Sequence, residues 1–269
     1  MTAEATDPVF SRIDSSVAHP ARVYDYWLGG KDNYAADREA AERVLAVTPG
    51  LRVRVRANRA FLARAVRYLA GEAGIRQFLD IGTGIPSANN THEVAQDVAP
   101  DARVVYVDND PIVLAHARAL LASDPRGATQ YLDGDLRQPA SILREAAQTL
   151  DFSRPTGLLL FGILHLVQDS EDPRGIVAEL MDALPAGSYL ALSHPALDIG
   201  PAQATAQQRY NERVSTPQTL RTREEVAGFF EGLDLVPPGL VYVHTWRPGA
   251  GVEVPPGATS AHGGVARKP

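Results

Sequence analysis

The spacing of apolar positions along this chain changes once. Up to about residue 70 they recur at intervals of three and four, as one face of a helix requires, and from Gln77 they gather into short runs separated by helical stretches. Pro20 opens the first predicted helix, Val23, Tyr26 and Trp27 fall on one of its faces, and Gly29-Gly30 ends it. A second helix is predicted from about Ala35 to Ala46. A third runs from about Val53 to Ala70, with Phe61, Leu62, Ala65 and Leu69 as its buried stripe. Beyond these the chain alternates: strand 77–81, helix from about Thr91, strand 103–107, helix 111–122, strand 128–132, helix 139–149, strand 157–162, helix 173–184 and strand 188–193. Such alternation builds an α/β fold whose mostly parallel sheet carries helices on both faces. Thr222-Arg223-Glu224-Glu225 is a capping box for the last helix. Residues 234–236, then Pro237-Pro238-Gly239, then 240–246 have the form of a closing hairpin, so an antiparallel pair is expected to end the sheet.

This pattern divides the chain. Residues 1–16 are polar and unpatterned and are expected to be flexible, 17–76 form a helical cover, and 77–247 form the α/β domain. Within that domain, residues 195–221 exceed an ordinary connection of ~2 to 6 residues and are expected to be a lid or substrate-side insertion. From 248 to 269 Gly, Pro, Ala and Ser dominate, the composition of a disordered tail.

Composition narrows the function. A formal net charge of -6 gives no long-range attraction to phosphate backbones, so no nucleic-acid partner is expected, and the arginines at 52, 54, 56, 59, 64 and 67 are expected to form a solvated helix face. The absence of cysteine excludes disulfides, thiolate metal sites and cysteine catalysis. No apolar run approaches the ~18 residues of a membrane span and no leader precedes Pro20, so a cytoplasmic protein without a membrane partner is expected. Two short matches fail on inspection. Gly30-Lys31 is followed by Asp32 where a phosphate loop needs Ser or Thr, and His92-Glu93 lacks a second histidine at position 96, which is Gln96.

The candidate chemistry lies at strand ends, where ligands sit in open α/β sheets. Gln77 to Ser87, QFLDIGTGIPS, carries Asp80, Gly82, Thr83 and Gly84 at the first strand end. The glycines permit a tight turn against a ligand, but Ser87 replaces the third glycine of a dinucleotide loop. The Asp80 carboxylate would repel a pyrophosphate and suits a ligand bearing an ammonium and a sulfonium, so the loop favours S-adenosylmethionine over a nicotinamide cofactor. The second strand ends in Asp108-Asn109-Asp110; either Asp108 takes ribose hydroxyls and Asp110 caps the helix at Pro111, or the whole stretch is simply a helix cap. At the third, Asp135 can accept an adenine amine and the Leu136 amide can meet the ring; a solvated turn is the alternative. The fourth places Phe161, Gly162 and His165 where donor and acceptor would meet. His165 is either a general base or a hydrogen-bonded structural residue, and His194, after the fifth strand, reads first as part of a structural turn and otherwise as the reserve candidate. Arg56, Asn58 and Arg59 can reach a cofactor carboxylate.

Taken together, DIGTGIP, VDND and DGDL resemble, in order and spacing, the cofactor motifs of class I S-adenosylmethionine-dependent methyltransferases. ARVYDYWLGGKDNYAADREAAERV, NRAFLARAVRYL and LHLVQDSEDP are similar to a methyltransferase family of filamentous soil bacteria that is largely uncharacterised, extending the resemblance over about residues 18 to 248. The resemblance implies a Rossmann-like, seven-stranded sheet with one antiparallel strand near the C-terminus and a helical cover over residues 18 to 70. It also implies cofactor contacts at Asp80, Gly82, Gly84, Asp108 and Asp135. The expected activity is methyl transfer from S-adenosylmethionine to a small-molecule acceptor. The alternative is a catalytically silent cofactor-binding protein with a regulatory or interaction role. The resemblance names no acceptor and no oligomeric state.

Overall fold

Strands β1 (Gln77–Ile81), β2 (Arg103–Asp108), β3 (Ala128–Asp133), β4 (Gly157–Phe161), β5 (Tyr189–Pro195), β6 (Asp234–Leu235), β7 (Val241–Tyr242) and β8 (Ala261–Arg267) make one sheet. They are seen in a computed structural model that describes residues 14–48, 50–113, 115, 124–200, 207–208, 211, 216–249, 259 and 261–269. The order is β3-β2-β1-β4-β5-β8-β6, with β7 also on β8. Strands β1 to β5 are parallel, in registers such as Leu79↔Val105 and Leu159↔Ala191, and β8 runs antiparallel to β5. Strands β1 and β4 are buried on both faces, so β4 is apolar throughout and β1 is apolar apart from the buried Gln77 and Asp80.

The alternation of side chains across the sheet separates two cores. Leu79, Ile81, Val105, Val107, Leu158 and Leu160 face one way, toward Ile142 of helix Pro139–Ala146 and Val177 and Leu180 of helix Pro173–Asp182. Phe78, Val104, Tyr106, Leu159 and Phe161 face the other, against α3 (Leu51–Gly71), whose Phe61, Leu62, Ala65 and Leu69 form the stripe expected from the sequence. Helix α4 (Thr91–Val98) adds Val94 and Ala95 to that side. The last helix of the cover therefore shares a core with the sheet. Arg64, expected in solvent, instead donates to the carbonyls of Val243 and Trp246 at 2.6 and 2.9 Å.

The C-terminal part corrects two expectations. Residues 261–267, placed in a disordered tail, form β8, in which Val265 and Ala266 are fully buried between β5 and the edge. The expected hairpin does not pair with itself. Strands β6 and β7 lie on the same edge of β8, with Leu235↔Ala266 and Tyr242↔His262, and the Val236 N–H donates to Val265 O at 2.8 Å. They are two pieces of one strand position interrupted at 237–239, so the sheet has seven positions, one of them antiparallel. The capping box is realised: the Thr222 N–H donates to Glu225 at 2.7 Å and the Glu225 N–H to Thr222 Oγ1 at 3.3 Å, opening helix Arg223–Ala227. Residues 1–13, most of the helix expected over 111–122 and much of 195–221 lie outside the described residues.

Helices α1 (Pro20–Leu28) and α2 (Ala35–Val47) complete the cover. Gly29 ends α1 at φ +92, a left-handed cap that favours glycine. A Cβ on Gly30 would fall 1.8 Å from the Asp25 carboxylate, which is buried and accepts from the Asp32 N–H and the Asn33 amide. The buried residues of α1 are Arg22, Val23 and Asp25, while Tyr24, Tyr26 and Trp27 are half-buried.

Candidate active site

Asp80 lies at the end of β1, 3% exposed, and accepts a hydrogen bond from Thr91 Oγ1 at 2.6 Å. Burial pushes its carboxyl up to about 6, against the Thr91 hydroxyl and the charge of Arg59, which favour the ionised form. The chain then turns through Gly82 and Gly84 at φ +74 and +69. The Gly82 N–H donates to Val107 O at 2.8 Å, and a Cβ there would meet the Ile163 side chain at 2.5 Å, so the turn requires glycine on two counts. Beyond it Ile85 is buried against Ile112 and Val113, and the Ser87 N–H donates to Asn90 at the start of α4. Pro86 and Ser87 thus lead the loop into α4 without a third glycine.

At the end of β2 the two acids divide their work. Asp108 accepts from the Gly84 N–H at 2.8 Å through one oxygen and from the Asp110 N–H at 3.0 Å through the other, which fixes its carboxylate against the glycine loop. Its carboxyl is raised by burial and lowered by those two N–H groups, with burial prevailing. Asp110 caps the following helix through the Ile112 N–H at 3.0 Å. Its other oxygen lies 2.8 Å from His19 Nδ1 and 3.4 Å from Arg22 Nε; burial opposes ionisation, but His19 and Arg22 prevail and hold the carboxyl below its ordinary range. Asp37 of α2 joins them, accepting from the His19 N–H at 2.9 Å and the Tyr34 N–H at 2.8 Å beside Arg22 Nε at 3.5 Å. This network, in which Arg22, Asp37 and Asp110 are buried and His19 is half-buried, fastens α1 and α2 to the end of β2. Sequence reasoning missed it. The available signal was an arginine on the inner face of α1, two residues after a histidine-proline cap.

Asp135 and Leu136 follow β3, positioned by the Gly134 N–H on Asp108 O at 3.1 Å. Leu136 is buried, and Asp135 accepts from the Arg137 N–H at 3.0 Å. At the end of β4, Phe161 packs edge-on against Phe61 at 5.5 Å, and Gly162, at φ +63, donates its N–H to Ser193 O at 3.0 Å. Asn58 of α3 lies 3.4 Å from where a Gly162 Cβ would be, and its amide donates to Tyr24 Oη at 3.3 Å. Asn58 Oδ1 is buried with no hydrogen-bond partner among the described residues. Arg59 donates to the carbonyls of Ala88 and Asn89.

The two histidines part company. His165 sits in the turn Leu164–Leu166 just past β4, half-buried, with Nδ1 lacking any partner among the described residues. Burial, helped by the charge of Arg221, lowers its imidazole to about 4, so it is neutral near pH 7. His194 lies inside β5, opposite His262 of β8, because β5 continues to Pro195. It is fully buried, with Nδ1 2.9 Å from Pro195 O and Nε2 2.8 Å from Arg221 Nη1. Arg221 also donates to the carbonyls of Leu164 and Val167, each at 3.0 Å, and to Asp169 at 2.6 Å. His194 therefore belongs to a brace behind the His165 turn.

A cavity of about 530 Å³ gathers Asp80, Gly82, Thr83, Gly84, Asp108, Asn109, Asp135, Leu136, Phe161, Gly162 and His165 with Tyr24, Trp27, Asn58 and Arg59 of the helical cover. His194 is not in its wall. Among the described residues there is no metal-binding cluster, and no helix is long and apolar enough to cross a membrane.

Comparison with known proteins bears on family and fold. Residues 6–269 match the family described as S-adenosyl methyltransferase. A DUF574 family protein from Streptomyces avermitilis is 50% identical with a TM-score of 0.91, covering 96% of this chain and 100% of its own. A candidate methyltransferase from Thermobifida fusca is 43% identical with a TM-score of 0.88, covering 99% of each chain. The N-methyltransferase NodS from Bradyrhizobium japonicum, in complex with S-adenosyl-l-homocysteine, is 14% identical with a TM-score of 0.50 over 92% of this chain and 99% of its own, a likeness of fold alone. No curated protein matches the chain. The glycine loop, the acidic strand ends and the match along nearly the whole length lead to one conclusion: this chain belongs to the S-adenosyl methyltransferase family.

Proposed function

We propose that the cavity binds S-adenosylmethionine and that the protein transfers its methyl group to a small-molecule acceptor. The observation that carries this reading is Asp108, a buried carboxylate pinned by the Gly84 and Asp110 N–H groups on the wall shared with the glycine loop. Asp108 would hold the ribose hydroxyls, and Asp135 and the Leu136 amide the adenine. The residues present fit the rest of the cofactor as well. Asn58 Oδ1, buried without a partner, and Asp80, buried without a counter-ion in contact, together suit an ammonium group. When bound, S-adenosylmethionine supplies an electrophilic methyl group on a sulfonium that is already a good leaving group. The chain's own contribution is then chiefly to orient and exclude water. His165, neutral and lacking a partner at Nδ1 among the described residues, accepts a hydrogen bond from the acceptor's O–H or N–H and so orients or deprotonates it.

Calorimetry with S-adenosylhomocysteine and NAD tests the cofactor: binding of the first and none of the second is expected, and the reverse would overturn the reading. With an acceptor in hand, His165→Ala should lower turnover by ~100-fold or more while cofactor affinity stays within a few-fold. Unchanged turnover would remove His165 from the mechanism. Tight cofactor binding with no turnover across a broad metabolite screen would favour a binding protein.

A further inference from the structure

We propose that the acceptor part of the cavity is built for a small, neutral aromatic molecule carrying an O–H or N–H group, an inference that rests on the methyl-transfer reading above. Tyr24 and Trp27 of α1 line the cavity with their rings edge to face, 6.4 Å apart at 68°. Their polar atoms are committed elsewhere. Tyr24 Oη donates to Val55 O at 3.2 Å and accepts from Asn58, and Trp27 Nε1 donates to Ala41 O at 3.3 Å. What the two residues offer a ligand is therefore ring surface, and Leu62, Ile163 and Leu166 extend it. This surface lies beside the expected point of methyl transfer, because Asn58 joins Tyr24 to Gly162, and Ile163, His165 and Leu166 follow directly in the chain.

The charges in the wall decide the rest. Arg59 is held by Nη2 on two backbone carbonyls with its charge facing Asp80, Arg137 is engaged by Glu171, Asp135 and Leu166 O, and Arg43 pairs with Glu39 at an exposed position. Asp80 and Asp108 face the same space. An anionic acceptor would lose its hydration with no cation directed at it among the described residues, and with two carboxylates nearby. A cationic acceptor would meet the positive charge of the donor it has to approach, since those carboxylates are the donor's own partners. A neutral ring with a proton to give avoids both costs, and the neutral imidazole of His165, with Nδ1 unpartnered among the described residues, can accept a hydrogen bond from it.

The test is calorimetry at about pH 7.5, where His165 is neutral and aromatic carboxylates are ionised, on protein saturated with S-adenosylhomocysteine. The probes are 2-naphthol and indole, compared with 2-naphthoate and indole-3-carboxylate. The neutral probes are expected to bind ~10-fold or more tightly than their carboxylates. Trp27→Ala is expected to weaken them by ~10-fold, with Trp27→Phe restoring most of the affinity and S-adenosylhomocysteine affinity held within roughly threefold in both variants. Carboxylates that bind as well as the neutral probes, neutral probes that fail on protein that holds S-adenosylhomocysteine, or indifference to Trp27→Ala would each overturn the proposal. Failure to bind S-adenosylhomocysteine at all would overturn the methyl-transfer reading first, and this proposal with it.

Discussion

Replacing Asp80 by Asn should make the ligand-free protein more stable and its cofactor binding weaker. Asp80 is 3% exposed, and its carboxyl is raised by burial from 3.8 to about 6. A shift of about two units corresponds to about 3 kcal/mol, at ~1.4 kcal/mol per unit. The sign follows from proton binding. Between pH 3.8 and about 6 the folded state holds a proton that the unfolded chain has released, so this group's stabilising contribution is complete below 3.8 and lost as pH rises through 6. At neutral pH the ionised carboxylate is therefore a net cost. Asn keeps an oxygen for the Thr91 hydroxyl and carries no charge. Allowing for the desolvation of its amide, Asp80→Asn should gain ~1 to 3 kcal/mol at neutral pH, a rise in Tm of several degrees. The assay is urea unfolding of both proteins across a pH series. Their difference should be near zero at about pH 4, grow up to about pH 6 and then level off. In the same protein the affinity for S-adenosylhomocysteine should fall by roughly 10-fold or more, as expected for losing a charge-assisted contact worth ~1.5 to 3 kcal/mol. A variant no more stable than wild type at neutral pH, or a difference indifferent to pH, would refute the account of Asp80 as a carboxylate held in reserve for a cation.

Further outcomes follow from other residues. Asp108→Ala should weaken S-adenosylhomocysteine by ~1.5 to 3 kcal/mol in calorimetry; unchanged affinity would take the ribose role from Asp108. Gly82→Ala, at φ +74 with Ile163 only 2.5 Å from the new Cβ, should lower stability by ~1 to 3 kcal/mol in chemical unfolding. Val265→Asp should destabilise the fold by ~4 kcal/mol or more by putting an unpaired charge at a fully buried site of β8, whereas a disordered tail would not register it. Amide exchange over residues 24–34 should slow on binding S-adenosylhomocysteine, and equal rates would make α1 and its glycine turn a fixed wall.

Four of the strands legible in the sequence, β1, β2, β4 and β5, are buried along most of their length, and there an apolar run bounded by turn residues has few other solutions. Strand β8 reads as Ala-His-Gly-Gly-Val-Ala-Arg and gives no such run. Its glycines are required by neighbours remote in sequence: a Cβ on Gly263 would meet Phe61 at 2.6 Å and Val243 at 2.8 Å, and one on Gly264 would meet Phe230 at 3.2 Å. Composition signals flexibility there, while packing demands the absence of side chains. His194, expected after the fifth strand, lies inside it for the same reason, since β5 pairs with β8 as far as Pro195. The acidic strand ends were visible because each follows an apolar run directly. The network of His19, Arg22, Asp37 and Asp110 was not, because its members come from three segments and no local period relates them.

The place of β8 in the sheet also sets the order in which the chain can mature. Strands β6 and β7 emerge from the ribosome before the strand they flank, and β5 has no antiparallel neighbour until residues 261–267 follow. During that interval the nascent sheet ends in an apolar strand with a free row of backbone donors and acceptors, the kind of edge that recruits other chains. A chain cut short of Ala261 would carry the loops after β1 to β4 on a sheet whose β5 edge is open. Such a chain should therefore be recovered in lower soluble yield, and lean more on chaperones, than one that carries β8.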